Sequence, residues 1–264
     1  MPAESFFQLT ATALFGGPEH LPSVSERSPA ADASYPHTHL PEPLVEALLA
    51  MVQEEGELLV VELGSFVGGS AVRIARALKR LGRSHHNAAL VCVDPFCGDA
   101  SMWSDHNGWR SWLRLCDGRP RLFEQFVANV HSEGHGDIVL PLSATACVGC
   151  SILCRLAAAG PGGCSGPALP RPRLVYLDAA HEEGETLLEV RRAFELLAPG
   201  GVLLGDDWDW PAVRQDVLTF AGGLRPPLPP PTFSAALGLE PVSGGCGVAV
   251  AHGGSSGGGG TAQW

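Results

Sequence analysis

The chain has 264 residues, enough for one α/β domain with a substantial core and short elaborations. With 45% hydrophobic and 17% charged residues it reads as globular rather than disordered. A formal net charge of −11 argues against phosphate-tracking contacts with DNA or RNA, which need a lysine and arginine surplus, and favours a small-molecule partner.

In chain order, residues 1–43 are rich in proline, serine and alanine without a sustained period, and are expected to form an irregular arm. Leu44, Leu48, Met51 and Val52 give a helical face behind Pro43, a good first-turn residue. Residues 58–63 form a short apolar strand ending in Gly64. Val72, Ala75 and Leu78 mark the next helix, closed by Gly82 near Lys79 and Arg80. Residues 89–93 read as a second buried strand, stopped by Asp94-Pro95.

Residues 96–119 then break the rhythm with Trp103, Trp109, Trp112 and several glycines, as an insertion or lid over the ligand edge would. Phe123, Phe126, Val127 and Val130 resume a helix, 138–142 a strand, and 146–159 another helix. After a glycine- and proline-rich loop at 161–172 come a strand at 174–177 and a helix carrying Leu187, Val190, Phe194 and Leu197. A strand at 202–204 follows the turn Pro199-Gly200-Gly201. Residues 253–264 have nothing to bury and are expected to be a disordered glycine/serine tail. The domain proper is therefore 44–252. This alternation predicts a Rossmann-like α/β fold, a mostly parallel twisted sheet with helices on both faces and ligands at the carboxyl ends of the strands.

No apolar run approaches the ~18–20 residues of a membrane-spanning helix, so no membrane is expected as partner. Glu4 and the absence of a basic region before Phe6 and Phe7 count against a secretory signal. The expected location is cytoplasmic; organellar targeting stays open, although residues 1–23 contain no arginine or lysine. Eight cysteines are then read as reduced thiols. Homo-oligomerisation stays open.

The polar clusters fall at strand ends. In Val60-Val61-Glu62-Leu63-Gly64-Ser65-Phe66-Val67-Gly68-Gly69-Ser70, glycines let the backbone approach a ligand. The helix that follows offers unpaired N–H groups to an anion. A plain tight turn is the alternative. Asp94, at the end of the second strand, can accept hydrogen bonds from both ribose hydroxyls of a nucleoside, each contributing roughly 1.5–3 kcal/mol. Helix capping or a turn set by Pro95 is its other reading. Asp94 alone does not separate a SAM site from an NAD site.

Glu62-Leu63-Gly64 with Gly68 and Ser70-Ala71-Val72-Arg73 resembles the first motif of class I S-adenosylmethionine (SAM)-dependent methyltransferases of the catechol O-methyltransferase type. Leu174-Val175-Tyr176-Leu177-Asp178-Ala179-Ala180-His181-Glu182 is similar to their fourth strand, and the run from Pro199 to Trp208 to their fifth. The insertion and the Leu122-Phe123-Glu124-Gln125-Phe126 helix resemble methyltransferase domain family 24. The likeness spans roughly residues 44–220. It implies that Glu62, Gly64, Ser65, Gly68, Ser70 and Asp178 belong to the SAM site. Asp94 would hold the ribose, and Ser143 and Ala144 would border the adenine.

Asp178, Asp206 and Asp207 match the metal ligands of the metal-dependent members. Independently, three converging carboxylates raise one another's pKa unless a cation lies between them. Oxygen-only ligands suit magnesium, manganese or calcium rather than zinc. The alternative is that Asp206 and Asp207 cap the helix beginning at Pro211. His181 stands where catechol-type members place a basic side chain, and is the candidate base; a loop hydrogen bond is its other reading. The sugar-modifying relatives use an aspartate one residue earlier, where this chain has Ala180.

Cys147, Cys150 and Cys154 fall inside a predicted helix and read as core packing rather than a metal site. Trp103, Trp109, Trp208 and Trp210 are candidate pocket walls. The expected function is O-methylation of a small-molecule hydroxyl from SAM, assisted by Mg2+, Mn2+ or Ca2+. A non-catalytic SAM-fold sensor and an NAD-dependent oxidoreductase are the alternatives. The latter is disfavoured by the absence of G-x-G-x-x-G and of a Tyr-x-x-x-Lys pair.

Overall fold

The computed structural model describes residues 4–25, 28–32, 40–52, 55–158, 168–224 and 249–252. Five parallel strands form the sheet: β1 (Leu58–Leu63), β2 (Ala88–Asp94), β3 (Val139–Ser143), β4 (Leu174–Leu177) and β5 (Val202–Gly205). A sixth, β6 (Ala249–His252), runs antiparallel to β5, giving the order β3-β2-β1-β4-β5-β6. The chain builds outward from β1 to β3, then returns to lay β4 beside β1. Between β1 and β4 the winding reverses, and ligands bind at the strand ends of such a switch point.

Both sheet faces are covered. Alternate residues of β1 divide between two cores: Leu58 and Val60 join one, Leu59, Val61 and Leu63 the other. The first core is closed by α2 (Glu42–Val52), α3 (Gly69–Arg80) and α5 (Leu122–Ser132). The second is closed by α1 (Phe6–Phe15), α6 (Ala146–Ala158), α7 (Glu185–Leu196) and α8 (Pro211–Gly223). Two buried faces explain why β1 reads as an unbroken apolar run rather than an alternating one.

Two expectations change. The arm expected to be irregular contains α1. Ser5 and Gln8 form a reciprocal capping box, with Gln8 N donating to Ser5 Oγ at 3.3 Å and Ser5 N to Gln8 Oε1 at 3.1 Å. Burial of Phe6, Phe7 and Ala11 then holds this helix to the sheet. In α2, Met51 is 58% exposed, while Val45 and Leu49 are buried beside Leu44, Leu48 and Val52. The glycine/serine tail at 253–264 lies outside the described residues, as does 159–167 of the loop after α6.

Residues 96–119 cross the carboxyl edge of the sheet. They carry a short helix, α4 (Ala100–Trp103), and a 3-10 segment at His106–Leu113. Phe96 and Leu113 are buried and root the insertion in the core. Phe96 packs against Phe123 and Phe126 at ring separations of 5.1 and 5.3 Å. Among the described residues, no helix is long and apolar enough to cross a membrane.

Candidate active site

A cavity of about 770 Å³ opens along the carboxyl ends of β1, β2, β4 and β5 under the insertion. One end is the turn between β1 and α3. Gly64 sits there at φ +85°, and a Cβ on it would lie 1.9 Å from the Asp178 carbonyl oxygen. Glycine is therefore required because the β4–α7 connection passes against this turn. Gly64, Ser65 and Ser70 line the cavity, whereas Gly68 faces Phe126 and Val130 instead.

Glu62 is fully buried beneath the turn and does not line the cavity. Burial pushes its pKa up to about 7; nearby Ser65, Ser70 and Cys92 pull it partway down. Neither of its oxygens completes a hydrogen bond, and the buried Ser65 Oγ above it is likewise without a partner.

Asp94 reaches across from β2. Its Oδ2 accepts the backbone N–H groups of Ser65 (2.9 Å) and Phe66 (2.8 Å), and its Oδ1 accepts that of Phe96 (2.5 Å). Phe66 and Phe96 have φ of 46° and 54°, a region that bulky side chains rarely occupy. The carboxylate thus clamps two strained turns. Burial raises its pKa, and the three N–H groups pull against that rise. A carboxylate offers about four lone-pair sites. With three taken, one is left for a ligand, not the two that grasping both ribose hydroxyls demands.

Ser143 and Ala144 fall outside the lining; Thr145, Ala146 and Cys147, where α6 begins, take that place. The next turn of α6 points inward. Cys150 is buried and its thiol is pushed up to about 12, so it behaves as core rather than as a ligand. None of the six described cysteines is in a disulfide.

The far end of the cavity lies over β4 and β5. Asp178, His181, Asp206 and Asp207 all line it. His181 Nε2 is 2.6 Å from Asp207 Oδ2 and 4.0 Å from Asp178 Oδ1, and its ring lies against Trp210 at 4.8 Å. One ligand atom each from Asp178, His181 and Asp207 fall within 4.8 Å of one another, a spacing that can hold a metal ion. Asp206 is placed differently from the sequence expectation. Its Oδ2 accepts the Tyr176 hydroxyl at 2.7 Å and its Oδ1 accepts the Asp207 N–H at 2.8 Å. The capping alternative also fails, because Trp210 is the N-cap of α8 and Pro211 opens it.

The electrostatics follow from crowding. Burial, then the charges of Asp206 and Asp207, hold Asp178 well above the usual carboxylate range. At His181 burial lowers the pKa, but the Asp207 hydrogen bond and the charges of Asp207, Asp178 and Asp99 outweigh it, and the net shift is upward. Glu189 of α7, not singled out in the sequence, also lines the cavity. Its Oε2 accepts the Ala180 N–H at 3.1 Å, and burial brings its pKa to about 7. Trp109 and Trp112, stacked at 5.3 Å, wall the insertion side, and Trp210 the other. Trp103 and Trp208 are not part of the wall; Trp208 is partly buried against the second core.

A family model described as a methyltransferase domain matches residues 61–208, more than half of the chain. The chain belongs to this methyltransferase family. The matched span runs from β1 through Asp178 and the Asp206–Asp207 pair, so it takes in both ends of the cavity. As a SAM-dependent methyltransferase, the protein joins a SAM-type Rossmann fold to that site, and the oxidoreductase alternative falls.

Three solved structures illustrate the similarity. Cofactor-bound Rv0187 from MTB is 18% identical, with 83% of each chain covered and a TM-score of 0.47. An O-methyltransferase from Bacillus cereus, in complex with SAH, is 16% identical over 81% of this chain and 82% of that one, with a TM-score of 0.46. TomG from Streptomyces achromogenes, an O-methyltransferase involved in tomaymycin synthesis and solved with SAM, is 18% identical over 85% and 79%, with a TM-score of 0.42. No curated protein matches the chain.

Proposed function

We propose that this methyltransferase transfers the methyl group of SAM to a hydroxyl oxygen of a small molecule, with a divalent cation held by Asp178 and Asp207. The observation that carries the reading is the meeting of Asp178, His181 and Asp207 at one end of a cavity whose other end is the glycine turn. The donor set fits a hard cation. Two carboxylates converge there without a lysine or arginine among the described lining residues, and burial, then the neighbouring charges, hold Asp178 well above the usual carboxylate range. Magnesium is commonly bound by one or two carboxylates, with water and substrate completing its shell. Manganese accepts the same ligands. Bound there, the ion would lower the pKa of the acceptor hydroxyl.

The chain's own residues do the rest. The amino terminus of α3, with Gly69 and Ser70 in the lining, receives the carboxylate of SAM. The remaining lone pair of Asp94 takes one ribose hydroxyl, and Thr145, Ala146 and Cys147 border the adenine. Glu62 is buried beneath the turn, close to Ser65 and Ser70. Glu189 and Thr186 pin both sides of the Ala180 peptide, the latter by a 2.8 Å bond to its carbonyl, and so fix the loop that carries His181.

His181 is the base. Hydrogen-bonded to Asp207 its pKa is raised, which favours the protonated ring over the form that accepts a proton. A cation held by Asp178 and Asp207 would neutralise the charge of Asp207, and His181 Nε2 would then be free to accept the hydroxyl proton. Trp109, Trp112 and Trp210 exclude water and orient the acceptor along the line of displacement. The test is product chemistry: incubation with SAM and hydroxylated small molecules should yield O-methyl ethers by mass spectrometry. Products methylated at nitrogen or carbon would contradict the oxygen assignment.

A further inference from the structure

A chain of polar contacts reaches the cofactor turn from the helical layer, away from the carboxylates. Asn129 of α5 donates from Nδ2 to the carbonyl oxygen of Val67 at 2.9 Å. Val67 lines the cavity within the β1–α3 turn. The Oδ1 of Asn129 accepts from Gln125 Nε2 and from the backbone N–H of Asp32, each at 2.8 Å. Gln125 is fully buried and also holds the Ala30 carbonyl at 3.0 Å, while its Oε1 accepts Arg114 Nη1 at 2.9 Å. Arg114, from the insertion, completes the circuit with an ion pair to Asp32.

Such a circuit matters because the turn is strained. Gly64, Phe66 and Gly68 all have positive φ, and for Phe66 that conformation is costly. A strained segment persists only where its surroundings fix it. Asp94 fixes the N–H groups of Ser65 and Phe66 from the β2 side. Asn129 takes the carbonyl of the next residue from the α5 side. The turn is gripped at the neighbouring residues Phe66 and Val67 by groups from two different elements.

We propose that Asn129 is a positioning residue for the cofactor: its amide holds the turn in the conformation that receives SAM. The same amide links that conformation to the docking of residues 28–32 and, through Gln125, to the insertion. The proposal rests on the turn being the SAM site.

Asn129→Asp isolates the tie, since it keeps an acceptor for Asp32 and Gln125 and sets an oxygen against the Val67 carbonyl. The S-adenosylhomocysteine Kd should rise about tenfold, equivalent to about 1.4 kcal/mol. KM for SAM should rise alongside, with kcat little altered. In the cofactor-free protein, amide exchange across residues 65–69 should quicken. Asn129→Ala should shift affinity and exchange in the same direction. A folded Asn129→Asp with wild-type affinity and wild-type exchange overturns the proposal. So does a lowered melting temperature with unaltered affinity, which marks a merely structural residue. Exchange is read without cofactor, so it decides the Asn129–Val67 tie even if the wild type binds no S-adenosylhomocysteine, a result that would instead remove the cofactor site.

Discussion

The hydroxyl of Tyr176 donates to Asp206 across 2.7 Å, from a side chain with no exposure to solvent. The same oxygen lies 3.1 Å from Asp178 Oδ2, so one β4 tyrosine spaces two carboxylates from neighbouring strands. Burial, then the charges of Asp178 and Asp206, push the Tyr176 pKa well up, so the hydroxyl stays a donor. Asp178, Asp206 and Asp207 all line the cavity, and Tyr176 holds the first two from beneath.

Removing that hydroxyl is informative. Tyr176→Phe takes a buried donor from Asp206, at a cost of about 1–3 kcal/mol in folding stability. Chemical denaturation should show it. Unchanged stability would mean that Asp206 is held well enough without Tyr176.

His181→Gln separates base from ligand. As the base, His181 contributes about 10²–10⁴-fold to the rate, and its loss should lower kcat by that factor while divalent-cation affinity persists. Cation affinity falling in parallel would make His181 a ligand and leave the proton without an acceptor.

Asp94→Ala should carry two penalties, because the carboxylate serves the fold before it meets any ligand. S-adenosylhomocysteine affinity should weaken by roughly 1.5–3 kcal/mol. The melting temperature of the cofactor-free protein should also fall, as Ser65, Phe66 and Phe96 lose their shared acceptor. A variant as stable as the wild type would show that the clamp on the two turns is dispensable.

Glu62 predicts a pH dependence. Its folded pKa, about 7, exceeds its unfolded value near 4.5, so the folded state binds the extra proton. Its contribution is fully favourable below the unfolded pKa and is lost as pH rises through the folded one, by roughly 3 kcal/mol in all. Glu62→Gln removes this dependence. In the cofactor-free protein it should therefore raise stability, relative to wild type, more at pH 8 than at pH 5. Equal differences at both pH values would mean that Glu62 ionises without penalty.

The strands and most helices were legible because their signals are local. The apolar run of β1 and the Gly64 turn are contiguous in sequence, and the Asp178 and Asp207 positions follow directly from strand ends. Even α1 announced itself through Ser5 and Gln8, a capping box ahead of an apolar run, masked by the composition around it. What could not be read depends on distant partners. Tyr176 meets Asp206 across 30 residues, and Asn129 meets Val67 across 62. For Asp94 the sequence allowed a turn at Pro95, which its bond to the Phe96 N–H makes, but not the bonds to Ser65 and Phe66, which lie 28–29 residues away. Ser143 and Ala144 fall outside the cavity lining, which Thr145, Ala146 and Cys147 supply, because side chains alternate in direction along a strand and a shift of one or two positions changes the face presented. Glu189 gave no local sign at all, since its role comes from the turn of α7 that aims it at Ala180.

The claim that a divalent cation sits between Asp178 and Asp207 is tested most directly by titrating Mn2+ into the S-adenosylhomocysteine-bound protein and following free ion by electron paramagnetic resonance. The wild type should take up a single ion per chain, Asp178→Asn and Asp207→Asn should lose it, and His181→Gln should keep it. A wild type that leaves all the Mn2+ free, or an Asp178→Asn variant that binds it undiminished, would contradict the account.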